Sequence, residues 1–99
     1  MKRIASSYTL PSGAVLINRI AKSAMSENCG TYSNAPTKTL INAYAVWAKG
    51  NPGLLITGNI MVDSKALGEP RNVVVEDYTH FERLKQWAKT VEGTGVHLW

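Results

Sequence analysis

The 99-residue sequence predicts an α/β fold in which parallel strands are covered by helices. Two observations carry the prediction. The stretch Gly53-Leu54-Leu55-Ile56-Thr57-Gly58-Asn59-Ile60-Met61-Val62 opens with four apolar or β-branched residues between two glycines, without polar alternation. A strand that is apolar on both faces is buried on both, as in a parallel sheet between helices. The turn signal Asn51-Pro52-Gly53 and the shortness of the run argue against a buried helix segment. Amphipathic helical patterns flank this strand, and another apolar run, Val96-His97-Leu98-Trp99, follows the second helix. Strands alternating with such helices imply parallel neighbours joined by right-handed crossovers.

Taken in order, the chain begins with a small hairpin over residues 8–17. Leu10-Pro11-Ser12-Gly13 has proline to set φ and glycine free to take positive φ, with Tyr8–Leu10 on one side and Ala14–Ile17 on the other. Ile20, Ala21, Ala24 and Met25 then fit a short strand whose small residues admit close neighbours. Residues 27–34 are polar, include Gly30 and read as a loop of the length that carries function. Ser33 or Asn34 can cap the first helix, and Pro36 suits its first turn. Leu40, Ala43, Tyr44, Trp47 and Ala48 recur at helical spacing before Gly50, a pattern of core packing. These elements make a first βα unit over residues 20–50.

The central strand opens a second unit over residues 53–93. Residues 63–75, with Gly68 and Pro70, read as a loop. Asp77 or Thr79 can cap a helix whose apolar face is Phe81, Leu84, Trp87, Ala88 and Val91, ended by Gly93-Thr94-Gly95. Residues 96–99 start a third strand. Two and a half units leave helix faces and a strand edge without partners, so the sequence reads as a piece of something larger or as half of an assembly.

The totals bound the function. One domain fits in this length, and a composition of 44% hydrophobic and 18% charged residues is that of a soluble globular protein. Eleven Lys and Arg against seven Asp and Glu give a net charge of +4, but the cations are scattered, with no run longer than two. No basic patch interleaved with aromatics and no paired Cys/His finger appears, which argues against nucleic-acid binding. Cys29, a single cysteine, excludes an internal disulfide. No segment approaches the roughly 18 apolar residues of a membrane span. Lys2 and Arg3 are followed by Ser6, Ser7, Tyr8 and Thr9 rather than an apolar signal core, so a cytoplasmic location is expected.

Catalytic signals are sparse. His80 reads as a solvated helix residue, and His97 as a core histidine within an apolar run. There is no His-x-x-His, Cys-x-x-Cys or paired-carboxylate spacing for metal or acid–base chemistry. Glu69, Glu76 and Asp77 fall on loop and cap positions, and the glycines fit no phosphate-binding loop. Position is the remaining guide. Sites in parallel α/β folds gather at the C-terminal ends of strands, here Met25-Ser26 and Gly58-Asn59.

Several motifs in order resemble the opening of the old yellow enzyme family, the NADH:flavin oxidoreductases. They are Leu10-Pro11-Ser12-Gly13, then Leu16-Ile17-Asn18-Arg19-Ile20, then Ser23-Ala24-Met25-Ser26. Pro36-Thr37, Tyr44 with Ala48, Gly53 through Gly58, Gly68, the helix from Phe81 to Val91 and Gly95 continue the match over essentially the whole chain. The resemblance implies a (β/α)₈ TIM barrel binding FMN. The 99 residues would be its N-terminal portion: the hairpin at the barrel bottom, two βα units and the start of the third strand. It implies that Ala24, Met25 and Ser26 line the flavin, with the Ser26 hydroxyl on the O4/N5 region. It also implies that Gly58 lets the end of the second strand pass close to the ring, where a Cβ would intrude. Each has a plainer reading: Met25 as core, Ser26 as a loop hydroxyl, Gly58 as a turn.

One departure is Ala24, which stands where the family has proline. The family's flavin-binding glutamine, acceptor-binding His pair or His/Asn, proton-donating tyrosine and phosphate-binding loops have no counterpart among the 99 residues. The expected parent reaction is reduction of FMN by NAD(P)H and hydride delivery to a small electrophilic acceptor, with no catalytic residue and no metal ligand in this chain, which is expected to be inactive alone. The alternative is a non-catalytic βαβα interaction module that pairs, or self-associates, through its open strand edge.

Overall fold

The computed structural model describes residues 2–99. A single turn of helix, α1 (Lys2–Ala5), precedes the hairpin of β1 (Tyr8–Thr9) and β2 (Val15–Leu16). The strands pair antiparallel, Tyr8 opposite Leu16 and Thr9 opposite Val15. Gly13 takes φ of +91° at the turn and donates its amide to the Leu10 carbonyl at 2.8 Å, as the Pro-Ser-Gly signal requires. The short α1 had no capping signal in the sequence. It is tied down through its Ile4 carbonyl, which accepts from the Arg19 amide at 2.9 Å.

Beyond the hairpin come β3 (Ala21–Lys22), α2 (Lys38–Lys49), β4 (Leu54–Leu55), β5 (Ile60–Met61), β6 (Val73–Val74), α3 (Phe81–Ala88) with a 3₁₀ turn at Lys89–Val91, and β7 (His97–Leu98). The main sheet is parallel, in the order β3-β4-β7, with Ala21 opposite Leu54 and Leu54 opposite His97. Successive strands are neighbours and each crossover carries a helix, so the predicted βαβαβ arrangement is present. Leu54 and Leu55 are both buried, which is why the run between the glycines has no polar alternation.

The helices cover one face of this sheet. On α2, Leu40, Tyr44 and Ala48 recur at every fourth residue and meet Leu55, Val73, Trp87 and Val96 in one apolar cluster. Leu98 packs against that cluster as well, whereas His97 reaches the hairpin, its Nε2 lying 3.0 Å from the Val15 carbonyl oxygen. Alternation along β4 and β7 therefore separates a helix-covered face from a face that rests on the hairpin. Full burial of each large cluster residue contributes on the order of 1.5–3 kcal/mol.

Four local expectations are corrected. The cap of α2 is Thr37, not Ser33 or Asn34: its Oγ1 accepts the Leu40 amide at 3.1 Å, and Pro36 lies before the helix. Asn34 instead sits at φ +66° and gives its carbonyl to the Val74 amide. Helix α3 begins after His80, whose side chain makes no cap bond, while Asp77 Oδ1 accepts from the Thr79 amide one turn earlier. On α3, Trp87 is buried, but Ala88 is exposed and Phe81 is 48% exposed, so the apolar stripe is narrower than its sequence period.

The largest correction concerns residues 59–75. The central strand ends before Gly58-Asn59, as the sequence expects, but the residues after it form a strand of their own. There β5 pairs in parallel with β6, Ile60 opposite Val73 and Met61 opposite Val74, in a second two-stranded sheet. The stretch expected as a loop thus ends in a buried strand. Val73-Val74-Val75 was the β-branched signal for it, masked by the surrounding Gly, Pro and Asn. No helix among the described residues is long and apolar enough to cross a membrane.

Candidate functional site

Three parallel strands end side by side. β3 runs into residues 23–27, β4 into residues 56–59, and β7 into Trp99. Backbone bonds extend the register past the strands: the Ile56 amide donates to Lys22 O at 3.1 Å and the Thr57 amide to Trp99 O at 2.7 Å. Lys22 staples the first two ends. Its Nζ donates to the Ser23 and Ile56 carbonyls, each at 2.7 Å, beneath the rings of Tyr44 and Trp47 at 5.5 and 5.4 Å.

The predicted residues gather on this edge. Ala24 is exposed, Met25 is 62% exposed and Ser26 is half-buried. Met25 is therefore not part of the apolar cluster that these 99 residues form. Gly58 is buried against the same segment, and a Cβ on it would lie 2.1 Å from the Met25 carbonyl oxygen and 2.3 Å from Glu27 Oε1. Glycine is thus required by packing within the chain itself, quite apart from any ligand.

A residue that the sequence placed only in a polar loop organises the ridge. Glu27 Oε2 accepts the Gly58 amide at 3.0 Å and also the hydroxyl of Tyr44. Tyr44 is fully buried. Burial first, and then the hydrogen bond and negative charge of Glu27, push its phenol far above the ordinary tyrosine range, with a small opposing effect from the Gly58 amide. One carboxylate therefore joins the end of β3, the end of β4 and the middle of α2. The thiol of Cys29 adds a further local tie, donating to Glu27 O at 3.0 Å.

Asn72 is the second group missed. It is 2% exposed, and its Nδ2 donates to Ser26 Oγ at 3.3 Å while its Oδ1 accepts the Glu69 amide at 2.7 Å. The signals that could have found the two residues are a carboxylate directly after a strand end, and an asparagine directly before Val73-Val74. His80 lies elsewhere, its ring 2.9 Å from Ser33 O, and both histidines are engaged with backbone carbonyls. Among the described residues no group of three His, Cys, Asp or Glu could hold a metal ion.

The ridge offers a small side chain at Ala24, an exposed thioether at Met25 and a hydroxyl at Ser26, all carried on a segment pinned from below. A methyl group, a thioether and a hydroxyl side by side suit a largely apolar ligand with one polar edge.

No protein-family model matches the chain. It is 36% identical over 92 residues, 89% of its length, to the NADH-dependent flavin oxidoreductase iliE of Hypocrea jecorina. It is 37% identical over 90 residues, 85% of its length, to the NADH-dependent flavin oxidoreductase iccE of Talaromyces variabilis. The chain spans 23% and 20% of those two relatives. Among solved structures, the old yellow enzyme homologue of Zymomonas mobilis superposes with a TM-score of 0.84 at 18% identity, over 97% of this chain and 26% of that one. The old yellow enzyme of Trypanosoma cruzi does so with a TM-score of 0.84 at 16% identity, over 99% of this chain and 26% of that one. At such identities the structures establish the fold, while the curated relatives supply the kinship in sequence. In sequence the chain is therefore similar to a stretch of NADH-dependent flavin oxidoreductases, and its fold is that of about a quarter of an old yellow enzyme.

Proposed function

We propose that the chain forms one wall of an FMN site in an NAD(P)H-dependent oxidoreductase. The observation that carries this reading is the placement of Ser26 and exposed Met25 together at the C-terminal edge of the parallel sheet, in a chain whose relatives are NADH-dependent flavin oxidoreductases. Bound there, FMN would take a hydride from NAD(P)H and pass it to a small electrophilic acceptor. Ala24 and Met25 would pack against the ring, and the Ser26 hydroxyl would donate toward its O4/N5 edge. Residues 8–17 would close the barrel bottom, residues 20–50 and 53–93 would be the first two βα units, and residues 96–99 would open the third strand.

Glu27, Tyr44 and Gly58 would act on binding without touching the ligand, by holding residues 24–26 still. Orienting groups in advance lowers the cost of binding. The acceptor and its proton donor would be served by residues outside these 99, so the chain alone is expected to bind flavin weakly and to turn over no NADH.

The test is an FMN titration of the 99-residue chain, followed by flavin fluorescence, with Ser26→Ala and Met25→Gly beside it. Saturable binding weakened at least threefold by each substitution supports the reading. Binding that ignores both substitutions overturns the assignment of the ridge, and no binding at millimolar chain confines FMN to a longer protein. One observation favours a second reading, an interaction module: Ile20, Met25, Val46 and Trp47 are exposed beside the free edge of β3. Concentration-dependent association without flavin, abolished by Val46→Lys, would establish that reading instead.

A further inference from the structure

We propose that Asn72 is a positioning residue that fixes the Ser26 hydroxyl as a hydrogen-bond donor facing the ligand side of the strand ends. The identity of the acceptor, the O4/N5 edge of FMN, rests on the flavin reading above. The orientation of the hydroxyl does not.

One donor in this contact is fixed by its chemistry. A backbone N–H only donates, and the Glu69 amide points at one end of the Asn72 side chain at 2.7 Å. That end must be the carboxamide oxygen, so the NH₂ group is the end facing Ser26 Oγ at 3.3 Å. Oγ is then an acceptor in this contact, and its own proton has to point away from Asn72. Turning the amide over would set its NH₂ against the Glu69 N–H, and the residue is 2% exposed with its backbone held on both sides. Its N–H donates to Glu69 O at 3.3 Å, and its carbonyl accepts Asn34 Nδ2 at 2.9 Å. Asn72 is the hydrogen-bond partner of Ser26 Oγ among the described residues, which leaves the hydroxyl proton available to a ligand.

The chain thereby occupies one of the two acceptor sites of the hydroxyl and leaves its single proton free to be donated to a ligand. A donor at the O4/N5 edge favours the form of the ring that has gained electrons and charge. Asn72→Asp keeps the shape and reverses the polarity: one carboxylate oxygen still accepts from Glu69, and the other accepts the Ser26 proton and withdraws it from the site.

Two measurements test this on the 99-residue chain. The first uses NMR of the flavin-free protein. Ser26→Ala should speed solvent exchange of the Asn72 side-chain amide at least tenfold, while Ser26→Thr, which keeps the hydroxyl, should leave it slow. Asn72 protons indifferent to Ser26→Ala overturn the proposal. The second follows the reduction potential of bound FMN. Asn72→Asp should weaken the preference for reduced flavin at least tenfold more with Ser26 present than in the Ser26→Ala background, about 30 mV for a two-electron couple. The alanine background isolates the effect of the added negative charge, so equal shifts in the two backgrounds overturn the proposal. Wild-type chain that binds no FMN but shows the NMR coupling supports the orientation of the hydroxyl and confines the flavin reading to a longer protein. FMN binding without the coupling overturns the orientation and supports the flavin reading.

Discussion

Glu27 joins three elements with one carboxylate, and its removal tests whether the ridge is built as described. Glu27→Ala leaves two donors without their partner: the fully buried Tyr44 phenol and the amide of buried Gly58. An unsatisfied buried donor costs about 1–3 kcal/mol, and more when the lost partner was charged. Glu27 itself is half-buried, so water reaches the site and the lower part of the range applies to each group. The expected loss is about 2–4 kcal/mol, a large fraction of the roughly 5–15 kcal/mol that holds a domain together. Tyr44→Phe removes only the phenol oxygen and leaves Glu27 its bond to Gly58, for an expected loss of about 1–1.5 kcal/mol. Because the two residues share a bond, the double variant should be less destabilised than the sum by about 1 kcal/mol or more. Urea unfolding followed by tryptophan fluorescence is the assay, since the rings of Trp47 and Trp87 stand edge-on to Tyr44 at 5.0 and 5.3 Å. A loss below about 0.5 kcal/mol for Glu27→Ala, or strict additivity with Tyr44→Phe, would refute the reasoning.

Three further outcomes follow from the same geometry. Gly58→Ala puts a methyl group 2.1 Å from the Met25 carbonyl oxygen, so the backbone of the ridge must move; a loss of about 1–3 kcal/mol is expected in urea unfolding, with weaker FMN binding in the titration. Thr37→Ala removes the α2 cap and the bond from Thr37 Oγ1 to Cys29 O at 2.6 Å, costing about 1–2 kcal/mol by the same assay, while Thr37→Ser should recover most of it. The raised pKa of Tyr44 fixes the sign of a pH dependence. The unfolded phenol loses its proton near pH 10 and the folded one holds it, so this contribution is intact below about pH 10 and declines above it, by at most about 1.4 kcal/mol per pH unit. Tyr44→Phe should remove that alkaline slope, and an unchanged slope would show that Tyr44 does not cause it.

Local periodicity carried much of the fold. The unbroken apolar run at Leu54–Leu55 could be read because its residues are buried on both faces, and α2 because Leu40, Tyr44 and Ala48 repeat every fourth position. The hairpin was legible from four residues at its turn. Caps were less so, since Ser33, Asn34 and Thr37 all have the chemistry of a cap, and the choice is made by tertiary contact. Asn34 is drawn away by Val74 and Asn72, and its left-handed backbone stops the helix from starting there. The β5–β6 pair escaped notice because each strand is two residues long and the connection between them is rich in turn formers.

The site divides along the same line. The place of Ala24, Met25, Ser26 and Gly58 at the strand ends was legible from local pattern, while the ligand role proposed for them rests on the resemblance. Glu27 and Asn72 were not legible, because their partners are 31 and 46 residues away and no local pattern marks a pair that distant. The physical difference is one of role. Residues that present chemistry to a ligand sit where the fold brings many ligands, so topology points to them. Residues that aim that chemistry do so through single long-range hydrogen bonds, and their type says only that they are polar. Burial is what separates them from ordinary loop residues: a polar side chain 2% exposed, as Asn72 is, must be satisfied within the chain, and tracing how it is satisfied leads to the hydroxyl it orients. In this chain the buried polar partners therefore carry more information about the site than its exposed surface does.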